Sequence, residues 1–144
     1  MSTPRGIRNN NPGNIRWSDD WKGLIPQAQR TDKDFCQFYD VKWGIRALVK
    51  VLLNYRKRPG MPVVGNSGID TVREIISRWA PPNENNTEAY IQSVAKACGV
   101  RPNDVIDLTD KNLMLSMVKA IIRHENGIQP YTDAILLAGI GLAF

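Results

Sequence analysis

Glu125 stands where the surrounding pattern asks for an apolar side chain. In the segment 113–127, Met114, Val118 and Ile121 recur at helical spacing, and Glu125 is the next position on that stripe. Thr109 followed by Asp110 reads as an N-cap, and Gly127 as the residue just past the C-terminus, so Glu125 falls in the last turn of a capped helix. Partial burial disfavours the charged form of a carboxyl group, and the negative end of the helix dipole acts in the same direction. A carboxylic acid kept protonated near neutral pH is a general acid, the group on which cleavage of a glycosidic bond depends. Taken alone, this feature is better explained by ion pairing with a neighbour such as Arg123, or by fraying into solvent. The rest of the chain therefore has to decide between these readings.

Polar groups suited to binding a sugar lie at the other end of the sequence. The stretch 8–17 contains Asn9, Asn10, Asn11, Pro12, Gly13 and Asn14 in succession and ends on Trp17. Asn and Gly let the main chain turn sharply and present amides to a ligand, and aromatic faces such as Trp17, Trp21, Tyr39 and Trp79 complement sugar rings. Loop building alone also accounts for Asn-Pro-Gly-Asn. His124 is the single histidine and points about 100° away from Glu125 on a helix, so the two do not share a face. One His and two separated Cys do not make a zinc site, no Gly-x-Ser-x-Gly nucleophile motif is present, and no metal or cofactor is expected. Glu84 reads as a solvated turn residue, and Glu88 as a helix-start charge.

The elements that must position these groups are mainly helical. Residues 1–34 have no sustained period and read as loops with a short hairpin, and 35–39 is a strand candidate. A helix begins at Val41, carries Ile45, Leu48, Val49 and Leu52, and stops near Arg58 before Pro59-Gly60. Asp70 is expected to cap a helix bearing Val72, Ile75, Ile76 and Trp79, and Thr87 another bearing Tyr90, Val94 and Cys98, closed by Gly99. The Glu125 helix follows, and Pro130 is expected to open a C-terminal apolar helix that is buried in the core. The fold class is mainly α with a very small sheet, in a single domain over residues 1–144. A domain of this size buries about 70% of its unfolded surface, so Cys36 and Cys98 read as reduced core residues rather than staples. Residues 1–6 lack the apolar stretch of a signal peptide and no span reaches membrane length, which predicts synthesis in a cytoplasm and no membrane span. The net charge of +5 and pI near 9.4 favour polyanionic partners, bacterial wall polymers among them.

The order of motifs carries a resemblance. Asn11-Pro12-Gly13-Asn14-Ile15-Arg16 is similar to the Asn-Leu-Phe-Gly-Ile-Lys element of flagellar-type and autolysin-type glucosaminidases of the lysozyme superfamily. Trp21-Lys22-Gly23, the 35–39 strand and the helix from Val41 follow in the order seen in those enzymes, as do Arg78-Trp79-Ala80-Pro81 and Tyr90 further on. Their catalytic Glu precedes all of this in a Glu-Ser-Gly sequence, whereas Glu125-Asn126-Gly127 comes last here, a relation a circular permutation would produce. The pattern resembles small lysozyme-like wall-degrading proteins of bacteriophages, both endolysins and virion-associated components, over most of the chain.

That resemblance implies a permuted lysozyme-like fold acting on peptidoglycan, with Glu125 as catalytic acid, Tyr90 lining the cleft, and Asn11, Asn14 and Trp79 binding substrate. It further implies action at the cell wall or within a virion, by a monomer unless virion-bound. Lytic transglycosylases of the same superfamily use a single Glu, and the glucosaminidases carry a second one in their small sheet. Asp32 and Asp34 are the carboxylates available at that place here. Two other readings compete: a non-catalytic phage structural or glycan-binding protein keeping the fold, and a helical nucleic-acid binder. No recognition-helix motif supports the latter, so no nucleic acid partner is expected.

Overall fold

The computed structural model describes residues 3–81 and 86–144, which leaves Glu84 and its turn outside the described residues. In chain order the helices are α1 (Arg5–Arg8), α2 (Val41–Tyr55), α3 (Val72–Trp79), α4 (Thr87–Cys98), α5 (Lys111–Asn126) and α6 (Asp133–Ala143), with a 3-10 turn at Gln27–Gln29. Among the described residues β structure is confined to isolated antiparallel bridges, so the chain is mainly α. The chain divides into two compact units, Met1–Lys50 with Ile121–Phe144, and Val51–Ala120, the divisions falling inside α2 and α5.

In the first unit the 35–39 segment is the centre of the β pairing. Its first half meets residues 15–17, with Cys36 N–H donating to Ile15 O at 2.8 Å and Trp17 N–H to Asp34 O at 3.3 Å. Its second half meets residues 23–25, with Ile25 N–H donating to Gln37 O at 3.0 Å and Tyr39 N–H to Gly23 O at 2.9 Å. Each pairing is too short to make a regular strand. Asp40 Oδ1 then accepts from Lys42 N–H at 2.9 Å and starts α2, which buries Ile45, Ala47, Leu48 and Val49.

Helix α6 departs from expectation twice. It begins at Asp133 rather than at Pro130, because Thr132 caps it by accepting from Ile135 N–H at 3.3 Å. It is also only half buried. Leu136, Gly139, Ile140 and Ala143 face inward, and a β-carbon on Gly139 would meet Ile45 of α2 at 2.6 Å, whereas Ile135, Leu137, Leu142 and Phe144 are exposed. The segment's apolar composition gave no phase to its helix, so one buried face and one exposed face look alike in sequence.

The second unit is built on α3 and α4. Thr71, and not Asp70, caps α3: its Oγ accepts from Glu74 N–H at 3.2 Å, while the Asp70 carboxylate accepts from Asn66 N–H. Asn86, and not Thr87, caps α4. Thr87 is the first helical residue, and its hydroxyl donates to Ala80 O at 2.6 Å. Gly99 ends α4 at φ +69, the left-handed C-terminal position. Val72, Ile75, Ile76, Tyr90, Ile91 and Val94 are all buried here, each aliphatic side chain among them contributing about 1.5–3 kcal/mol. Cys36 is buried and Cys98 half-buried, neither in a disulfide, and burial pushes both thiols up to about 11.

Candidate functional site

The stripe on α5 runs as its spacing requires. Met114, Val118 and Ile121 are fully buried, and Glu125, next along the face, is half-buried while His124 beside it is exposed. Asp110 fixes the start of the helix, accepting on Oδ1 from Asn112 N–H at 2.9 Å and Leu113 N–H at 3.2 Å. Thr109 instead bonds back to Asp107. Gly127 follows the helix at φ +76, and its N–H donates to Arg123 O at 2.8 Å. Glu125 thus sits in the last turn, near the ends of two other segments of the first unit.

One of those segments is the Asn-rich loop. Asn14 lies in the left-handed region at φ 52, and its Nδ2 is 3.5 Å from Glu125 Oε1, a long contact that joins residues 111 apart in sequence. Asn126 ties the same two segments together, its Nδ2 donating to Pro12 O at 2.8 Å and to Ile122 O at 3.0 Å. The side-chain oxygens of Asn14 and Asn126 are both buried without a hydrogen-bond donor. Gly6 of α1 closes this corner: a β-carbon there would lie 2.5 Å from Asn126 Oδ1, 2.8 Å from Asn14 Oδ1 and 2.9 Å from Asn11 O. A glycine fits here because three oxygens crowd the place a β-carbon would take.

The remaining expected binding residues are differently disposed. Asn11 is fully buried, with Nδ2 donating to Ile15 O at 2.9 Å and Cys36 O at 3.0 Å and Oδ1 accepting from Ile15 N–H at 3.0 Å. Its amide is spent on the backbone of its own loop and of the 35–39 segment, so it builds the site rather than facing a ligand. Tyr90 and Trp79 belong to the second unit. Tyr90 is fully buried, which is at odds with its expected place lining an open cleft, and Trp79 is half-buried at the end of α3. The structure therefore joins Asn14 to Glu125 and gives Asn11 a supporting part.

Asp32 is neither solvated nor available as a second carboxylate. Arg5 donates to both of its oxygens at 2.6 and 2.7 Å, Asn9 Nδ2 to Oδ2 at 2.9 Å, and the backbone N–H groups of Asp34 and Phe35 each to Oδ1 at 3.0 Å. The Arg5 bonds hold this carboxyl well below the usual carboxylate range. Asp34 is more open and meets Arg5 at 3.3 Å. Sequence reasoning missed Asp32 as an organising group, and also Glu74 in the second unit. The buried Glu74 accepts from Met61 N–H at 2.7 Å and from the Thr71 hydroxyl at 2.9 Å. The one sequence signal for it is the Thr71-x-x-Glu74 spacing of a capping box. Among the described residues no group of three His, Cys, Asp or Glu could hold a metal ion, and no helix is long and apolar enough to cross a membrane.

No model of a known protein family matches the chain. It is similar to Protein P5 of Pseudoalteromonas phage PM2, with 36% identity over 132 residues that cover 89% of this chain and 74% of the phage protein. At that identity and coverage, the chain belongs to the family of phage PM2 Protein P5.

Proposed function

We propose that the chain cleaves the β-1,4 bonds between N-acetylmuramic acid and N-acetylglucosamine in peptidoglycan, with Glu125 as the general acid. The observation that carries this reading is the meeting of Glu125 with the Asn-rich loop through Asn14, at 3.5 Å across 111 residues. A carboxyl whose Oε1 accepts from an amide can carry its proton on Oε2 and pass it to the leaving glycosidic oxygen as an oxocarbenium-like state develops. The permuted lysozyme-like arrangement is part of the proposal, as is delivery to the wall through a phage-made membrane lesion or within a virion. Membership in a phage protein family supports that setting. No metal or cofactor enters the reaction.

The burial of Tyr90 and the structural use of Asn11 favour a second reading, in which the chain binds wall glycan without cutting it. The two readings separate on one substitution. Glu125→Gln keeps the shape of the side chain and removes the acid, so it should slow clearing of purified cell walls by about a hundredfold or more with the melting temperature preserved. Equal activity in the two proteins would contradict the assignment of the acid to Glu125, and no activity in either favours the non-catalytic reading.

A further inference from the structure

Part of the surface of the first unit is basic and has no assigned purpose. Lys42, Arg46 and Lys50 follow one another at four-residue intervals on α2, which aligns them along one face of the helix. Arg46 and Lys50 line an open groove of about 490 Å³ together with Asp20, Trp21 and Lys22 of the preceding loop. That volume lies in the range of ligand sites, about 300–1,000 Å³. Among the described residues none of Lys22, Arg46 and Lys50 is in an ion pair.

The groove is built rather than accidental. Gly23, at φ +84, lies against the Trp43 ring so closely that a β-carbon would overlap it, which clamps the loop to α2. The same loop is held on its other side, where Gly23 O accepts from Tyr39 N–H and Ile25 N–H donates to Gln37 O. These contacts hold the loop backbone against α2, so little binding energy is lost to ordering the main chain of the groove.

The chemistry of the lining is mixed, and the mixture is selective. Trp21 is half-buried with its indole N–H shielded from solvent and lacking an acceptor, so the residue offers the groove ring carbon rather than a donor. An aromatic surface of this kind fits the apolar face of a sugar ring. The Asp20 carboxylate accepts from hydroxyl groups but repels a continuous run of phosphates, while Lys22, Arg46 and Lys50 hold isolated anions with charge-assisted bonds. We infer that this groove binds an acidic saccharide, with a ring on Trp21, hydroxyls on Asp20 and carboxylates on the three cations. It shares no lining residue with the Glu125–Asn14 pair, and it takes from the proposed function only the choice of probe.

The test is a binding titration in the Glu125→Gln background, where cutting is suppressed. The ligands are soluble glycan oligomers carrying muramyl-peptide carboxylates, neutral N-acetylglucosamine oligomers of equal length, and a short single-stranded DNA. The acidic oligomers should bind about tenfold or more tighter than the neutral ones, and the double variant Arg46→Gln, Lys50→Gln should erase that difference. Neutral-oligomer affinity and melting temperature should be unchanged in the variant, and Lys50→Gln alone should give an intermediate loss. Equal binding of acidic and neutral oligomers, an acid preference that survives the double variant, or DNA binding as tight as the acidic oligomer and lost in the same variant would each overturn the inference. If the wild type fails to cut peptidoglycan while the preference maps to Arg46 and Lys50, the groove stands and the glycosidase reading falls. The opposite pair of results removes the groove alone.

Discussion

Asp32 holds together a part of the chain that has almost no regular structure. It gathers Arg5, Asn9 and two backbone N–H groups on one buried carboxylate, and removing it strands those donors. Asp32→Ala should therefore destabilise the protein by about 2–3 kcal/mol, less than a wholly buried ion pair would because Arg5 is 42% exposed. The pH dependence has a definite sign. The folded carboxyl lies below its unfolded value of about 3.9, so its contribution is fully present above about pH 4 and is lost as pH falls through the folded value. Urea midpoints should differ between wild type and variant at neutral pH and converge below about pH 4. A constant gap down to pH 2 would contradict the assignment. Nothing local in the sequence reveals this hub, since Arg5 and Asn9 lie 27 and 23 residues from Asp32. The burial of Glu125 was legible, because periodicity on one helix is enough to read it. Its contact with Asn14, 111 residues away, has no local signal in the sequence.

At the scale of elements, the loop that carries Asn14 is held by the close approach of α2. Gly44 lies on that helix directly beneath the Asn10 carbonyl oxygen, and a β-carbon there would overlap it. Gly44→Ala should push the Asn9–Asn14 loop outward, costing about 1–3 kcal/mol as an overpacked contact and lowering wall-clearing activity together with stability. Thermal melts and clearing assays on the same preparation check this, and an unaltered melt would mean that the loop yields freely. Helices α2 to α5 were legible because each has a buried stripe at helical spacing. Their caps were not: at α3 and α4 the expected and observed caps differ by one residue, since Asp70-Thr71 and Asn86-Thr87 each offer two adjacent side chains able to accept. The start and orientation of α6 were hidden for the opposite reason, as a segment apolar all round gives no phase.

Over the whole molecule, the two thiols report on the two compact units separately, Cys36 in the first and Cys98 in the second. With both thiols raised to about 11, roughly one in a thousand is ionised at pH 8, so iodoacetamide should label the native protein slowly. Half-buried Cys98 should react before buried Cys36, as peptide mass analysis over a time course would register, and the reverse order would contradict the packing described for the first unit. The basic groove and the Glu125 corner lie in that same first unit, together with the exposed apolar side of α6. The central claim is that Glu125 breaks a glycosidic bond, and mass analysis of fragments released from purified peptidoglycan tests it most directly. The wild type should release glycan pieces with new reducing or anhydro ends, and Glu125→Gln, folded and equally stable, should release them about a hundredfold or more slowly. Fragments without new sugar ends, or release at the same rate from both proteins, would contradict the account.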